Sequence, residues 1–142
     1  MRQTILLLLC LLWLPASAAD INLRIQGFQN DEGRLRFSMF SMAERDKFPM
    51  HPEQASYILD TEIKNRRAEI KLTGIEPGSY AIIVFHDQNG NSKMDHKWYG
   101  PPSESLGYYR HYTLRMLPPD FEAVMFNLPD SGMNMQINLQ KF

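Results

Sequence analysis

Strict alternation of apolar and polar residues constrains this chain more than any other feature. From Met133 to Gln140 the pattern has no break: Met133, Met135, Ile137 and Leu139 fall on one side, and Asn134, Gln136, Asn138 and Gln140 on the other. Successive side chains of an extended strand point to opposite faces, so this is a half-buried strand; wound as a helix, the same residues would scatter around the whole circumference. Ile21–Gln26, Arg34–Met39 and Ala68–Leu72 carry the same period, with Leu35, Phe37 and Met39 predicted to face inward. Phe40 and Met42 then shift the phase by one, which predicts a bulge or a strand end there. Ser79–His86 is apolar on both faces, with Ile82 and Val84 on one and Ala81, Ile83 and Phe85 on the other, as a central strand requires. Ser56–Leu59 reads as a short edge strand and Ala123–Phe126 as a further strand.

The intervals between these runs are turns. Asn30-Asp31-Glu32-Gly33, Gly74-Ile75-Glu76-Pro77-Gly78 and Asp130-Ser131-Gly132 carry the residues that tight connections prefer. Ala43–Ala55, with Pro49 and Pro52, reads as a surface loop that includes a helical turn, and Tyr108–Met116 fits no regular pattern. Crossover helices, which a parallel sheet would need, find no matching segment. The predicted fold is therefore all-β: an antiparallel Greek-key β-sandwich of about seven strands, spanning residues 20–142.

Residues 1–19 stand apart from that domain. Arg2 supplies a positive start, Ile5–Leu14 is an almost unbroken apolar run, and Pro15-Ala16-Ser17-Ala18-Ala19 offers small residues at a cleavage site. This is the pattern of a secretory signal peptide, cleaved after Ala18 or Ala19. The run falls short of the about 20 apolar residues that span a bilayer, and no later segment is apolar enough to do so. The expected location is periplasmic or secreted, with no transmembrane anchor in the mature protein. The sole cysteine, Cys10, lies inside the leader, so residues 20–142 hold no thiol for a disulfide or a thiolate metal site. With 15 basic and 16 acidic residues and a formal net charge of −1, the chain lacks the clustered basic face that nucleic acid requires.

The segment following the central strand is the richest in chemistry. Asp87, Asn89, Asn91 and Asp95 occupy positions 1, 3, 5 and 9 of a calcium-type loop, and Lys93 at position 7 could offer its backbone carbonyl. Alternate spacing in a tight turn brings oxygens toward one point, and calcium takes six to eight of them at about 2.3–2.6 Å. Two positions depart from an EF-hand: Ser92 stands where glycine makes the sharp turn, and Trp98 stands where a bidentate glutamate belongs. Glu104, beyond Gly100-Pro101-Pro102, is the candidate replacement. The predicted cofactor is calcium, held by Asp87, Asn89, Asn91, Lys93, Asp95 and Glu104, with affinity in the extracellular range of about 10⁻⁴–10⁻³ M. The same Asp, Asn and Gly residues also serve a solvated turn that binds nothing.

Other groupings are weaker. His86 and His96 flank the loop, but no paired spacing joins them to His51 or His111 in a transition-metal pattern, and satisfied or solvent-facing histidines are the simpler reading. Nine methionines invite a copper reading, which packing answers for most of them. Trp98, Tyr99, Tyr108, Tyr109 and Tyr112 form an aromatic patch that could stack on sugars or grip a peptide, and that could equally cap the end of the sandwich. Catalysis has little support. There is no G-x-S-x-G elbow and no thiol, and one loop on a small sandwich gives the acidic residues little cleft in which to act on a glycoside.

The motifs from Gly78-Ser79-Tyr80 through His86-Asp87-Gln88-Asn89-Gly90-Asn91, then Gly100-Pro101-Pro102-Ser103-Glu104, Gly107-Tyr108 and Pro119-Asp120-Phe121, resemble the secreted bacterial domain of unknown function numbered 2141. This sequence departs from the family's pattern at Ser92, where glycine is usual, and at Tyr109-Arg110, where Ser-Asn is usual. The resemblance implies an immunoglobulin-like or prealbumin-like (transthyretin-like) sandwich and no established activity. Taken together, the reading is an exported, non-enzymatic β-sandwich with a calcium-binding loop at 87–95, serving as a structural or binding module of the cell envelope with an envelope ligand or protein as partner. The alternative is a metal-independent carbohydrate- or peptide-binding module built on the aromatics around Trp98 and Tyr108.

Overall fold

The computed structural model describes residues 17–110 and 112–142. Apart from residues 17–19, the leader assigned to 1–19 lies outside the described residues, as does His111. Eight strands follow in order: β1 (Ala19–Gln26), β2 (Arg34–Ser41), β3 (Tyr57–Thr61), β4 (Arg67–Ile75), β5 (Gly78–Asp87), β6 (Leu106–Tyr108), β7 (Phe126–Leu128) and β8 (Met133–Asn138). They form two sheets. One has the order β4-β1-β8; the other has the order β3-β2-β5-β6, with β7 paired to the first residues of β5. The two sheets pack as a sandwich.

The alternating runs become the facing layers. Ile21, Leu23 and Ile25 of β1, Leu35, Phe37 and Met39 of β2, and Met135 and Ile137 of β8 are all buried in one core between the sheets. Burying one such side chain contributes about 1.5–3 kcal/mol, so these alternate positions supply much of the driving force. β5 is central as predicted. Its Ile82 and Val84 enter the inter-sheet core, while Ala81, Ile83 and Phe85 face the other way. That second face is covered by connections: Phe48 from the segment between β2 and β3, and Phe121 and Val124 from the segment before β7. Phe48 contacts Phe40, Tyr108 and Phe121 edge-on, with ring centroids 5.3, 5.9 and 6.0 Å apart, a favoured aromatic geometry.

Two expectations are corrected and a third is met in one of its two forms. The sandwich is not wholly antiparallel, because β1 and β8 run parallel from Ile21 opposite Met133 to Gln26 opposite Asn138. A crossover helix is unnecessary, since these are the first and last strands and the second sheet makes the return. The strand end expected around Phe40 and Met42 is present: β2 pairs with β5 without a bulge as far as Ser41 opposite Tyr80, Phe40 faces the second core, and Met42 opens a 3-10 turn. Ala123–Phe126 is not one strand. Phe121–Val124 forms a single helical turn whose Phe121 and Val124, three apart, are both buried, and β7 begins only at Phe126. The helical turn expected within 43–55 is present as a 3-10 turn at Met42–Lys47. Ser41 and Glu44 close it with a capping box, and a second short turn follows at Pro52–Gln54.

Candidate functional site: an acidic loop beside an apolar groove

β5 leaves the core at Asp87, and the geometry of the loop begins there. Asp87 is 2% exposed and opposite Arg34 of β2. The preceding turn is pressed against it. Gly33 has φ +70°, and a Cβ at that position would lie 2.0 Å from the Asp87 carbonyl oxygen, so only glycine fits. Buried carboxylates need donors, and Asp87 finds them in the loop backbone: Oδ1 accepts from the Asn91 N–H at 3.1 Å and Oδ2 from the Ser92 N–H at 2.8 Å. Ser92 itself has φ +66°, a left-handed conformation that glycine adopts more readily than any residue with a Cβ.

Glu104 performs the second closure. It is 8% exposed, and its Oε1 accepts from the Gln88 N–H at 3.0 Å while Oε2 accepts from the Asp95 N–H at 3.2 Å, tying the two ends of the loop together. Burial raises its pKa above the usual carboxylate value and Asp95 and Asp87 add to the rise, against the lowering effect of those two N–H groups. Asn89, Asn91 and Asp95 do converge. The Asn91 side-chain Nδ2 donates to Asp95 Oδ1 at 2.9 Å, and the Asn89 Nδ2 donates to Asp95 Oδ2 at 2.5 Å. Lys93 is exposed, and its N–H donates to Asn91 Oδ1 at 2.8 Å. The six residues expected to bind calcium thus divide into Asn89, Asn91 and Asp95, which meet one another, and Asp87 and Glu104, which serve backbone donors. Lys93 contributes a backbone contact. Among the described residues, no three His, Cys, Asp or Glu side chains gather so as to hold a metal ion.

The histidines separate. His86 is 2% exposed, its Nε2 donates to the Glu32 carbonyl at 2.6 Å, and Phe28 packs edge-on against its ring at 5.2 Å. It is a satisfied core histidine and does not face His96, which lies on the exposed return of the loop.

The aromatic patch also divides. Tyr108 is buried in the second core, and Tyr112 packs half-buried against its ring at 5.8 Å. Burial raises the Tyr108 pKa well above that of a free phenol. Tyr109, the next residue, faces Phe126 at 5.0 Å at the margin of the inter-sheet core. Trp98 and Tyr99 remain in the open at the tip of a turn, rings edge-on at 5.3 Å, with Trp98 95% exposed. Lys97 beside them holds its Nζ 5.6 Å from the Tyr99 ring and donates to the Phe142 carbonyl at 3.1 Å.

Between this turn and the segment after Tyr112 lies a groove of about 240 Å³. Ile83, Leu106 and Tyr108 form its floor, Met94 and Pro101-Pro102 one wall, and Leu114, Met116 and Pro118-Pro119 the other. Sequence reasoning did not identify it. Its signals were large apolar side chains in otherwise polar segments, notably Met50, Met116 and Leu117, all of which are exposed.

A family described as an uncharacterized protein conserved in bacteria (DUF2141) matches residues 23–137, nearly the whole sandwich. The chain belongs to that family. The matched span includes the acidic loop and both walls of the groove, so these features lie within the family's domain and not in an appendage. Neither a curated protein nor a solved structure matches the sequence.

Proposed function

We propose that this family member is an exported, non-enzymatic binding module of the bacterial cell envelope that takes an apolar peptide segment into the groove beside the acidic loop, without a metal. One observation carries the reading: an apolar groove with proline-built walls opens beside a turn that leaves Trp98 and Tyr99 uncovered. Proline walls are already ordered, so little entropy is lost when a ligand enters. Exposed aromatics next to a groove are the usual anchors of peptide recognition. At about 240 Å³ the groove is smaller than the about 300–1,000 Å³ of a small-molecule pocket and suits one or two side chains of a longer chain. A sugar would need more convergent hydrogen-bonding groups than this lining offers. Export rests on the leader at 1–19, and among the described residues no helix is long and apolar enough to cross a membrane. Cleavage after Ala18 would keep Ala19, buried and paired with Ile75, in β1.

The test uses a peptide array and a glycan array probed with the chain from Ala19 onward, both in chelator. Apolar and aromatic peptides should bind, and Trp98→Ala and Leu117→Glu, both at exposed positions, should each abolish that binding while leaving the melting temperature unchanged. Glycan binding lost in Trp98→Ala would establish the carbohydrate alternative instead.

Calcium at 87–95 is a second reading, favoured by one specific observation. The amides of Asn89 and Asn91 both present their amino groups to Asp95. Rotating each amide would turn its oxygen to the same point, at the cost of the Asn91 and Lys93 N–H groups those oxygens now accept from, a loss that a bound cation would have to offset. Calorimetric titration of calcium should then give heat that disappears in Asp95→Asn, a variant that leaves the Asp87 scaffold intact. No heat up to millimolar calcium would remove this reading and leave the groove untouched.

A further inference from the structure

Two cavities adjoin on the outer side of the five-stranded sheet, the groove of about 240 Å³ and a second of about 220 Å³. Met50, Pro52, Met94 and His96 line both, so these four side chains form the partition between them, and three of them carry a sulfur or an imidazole nitrogen. Met116 lines the larger cavity. Packing accounts for Met39 and Met135, which are buried between the sheets, but not for Met50 and Met116, which are 66% and 72% exposed. A surface that leaves long thioether side chains in water around one imidazole lacks the usual reason for methionine.

We propose that Met50, Met94 and His96, with Met116 at the margin, form a binding site for a soft monovalent cation, Cu(I). The donor set decides the ion. Thioether sulfurs select Cu(I) over harder metals, whereas zinc and Cu(II) draw on thiolates, carboxylates or several imidazoles. Residues 20–142 contain no cysteine, so methionine is the only sulfur donor available there. Charge points the same way. All these ligands are neutral, and the charged side chains lining the two cavities are Arg36, Lys93 and Arg115 against Glu53, a net positive surround that penalises a divalent ion more than a monovalent one. The site does not depend on the peptide reading, because it uses the partition and not the floor of the groove. It is also separate from the hard-oxygen face of the loop: Met94 and His96 flank Asp95 in sequence but belong to the opposite side.

The experiment is an anaerobic competition for Cu(I) against a chromophoric chelator, followed by X-ray absorption of the loaded protein. The chain from Ala19 onward should withdraw one equivalent of copper, and the absorption should show sulfur scatterers. Met50→Leu combined with Met94→Leu, a volume-conserving change at positions not fully buried, should fold normally and weaken Cu(I) binding at least about tenfold. Met135→Leu should leave the affinity unchanged. The proposal is overturned if the wild type leaves all the copper with the chelator, if the double variant competes as well as the wild type, or if only nitrogen and oxygen surround the metal.

Discussion

The two faces of β5 bury comparable side chains by different means. Ile82 and Val84 meet a sheet, and most neighbours in that core come from strands at alternate positions, with Phe28 and Ile63 added from connections. Ala81, Ile83 and Phe85 meet a patchwork made of a turn carrying Phe48, a single helical turn carrying Phe121 and Val124, and irregular chain carrying Tyr112 and Leu114. A sheet tiles another sheet without gaps because both repeat at the same interval. Irregular segments have no shared interval, and the groove opens where they fail to meet. The difference teaches where binding can arise in such a fold: on the face closed by connections, above a floor that the strands hold rigid.

The largest expected effect separates the two faces directly. Phe37→Ala in the inter-sheet core should cost about 4–5 kcal/mol in urea unfolding, because sheets cannot collapse into the void, while Phe48→Ala should cost about 2–3 kcal/mol, because the turn that carries it can settle. Equal losses would break the contrast. Next is the junction of the two regions at Gly33. Gly33→Ala forces a Cβ against the Asp87 carbonyl in a left-handed conformation and should cost about 2–3 kcal/mol, with hydrogen exchange rising first in residues 87–95. A smaller effect sharpens the loop side alone. Ser92→Gly relieves the left-handed strain and should stabilise by about 0.5–1 kcal/mol, raising amide protection within the loop and leaving that of Phe37 and Val84 unchanged.

The smallest effect is a pH dependence in the capping turn over the outer face. Hydrogen bonds from the Ser41 hydroxyl, then from the Ser56 hydroxyl, lower the Glu44 pKa below its ordinary value of 4.5. A carboxylate whose folded pKa is depressed stabilises the folded state above its unfolded value, and that contribution is lost as pH falls through the lower folded value. The melting temperature should therefore carry a small fall below pH 4.5 that Glu44→Gln lacks. A variant that follows the wild-type profile throughout that range would show that the turn adds nothing to the outer face.

The inter-sheet core was legible because period two is a local property. Leu35, Phe37 and Met39, and Met135, Ile137 and Leu139, are buried as their alternation requires, and β5 is buried on both faces as its double-sided pattern requires. Ala123–Phe126 misled because an apolar run of four lacks a period, and helix and strand bury it equally well. β6 went unrecognised because three residues, one of them glycine, are too few to display alternation. The loop's closure was legible in part. Glu104 does return to the loop, but to its backbone N–H groups at Gln88 and Asp95.

Alternation, turn residues and the position of Cys10 sufficed to establish an all-β domain that folds without a thiol, because each is set by neighbours along the chain. Strand direction, the parallel pairing of β1 with β8, and the meeting of Met50, Met94 and Met116 at one groove depend on residues far apart in sequence. Nothing local records such distances. They are decided only when burial of both faces of β5 forces the connections to fold back over it.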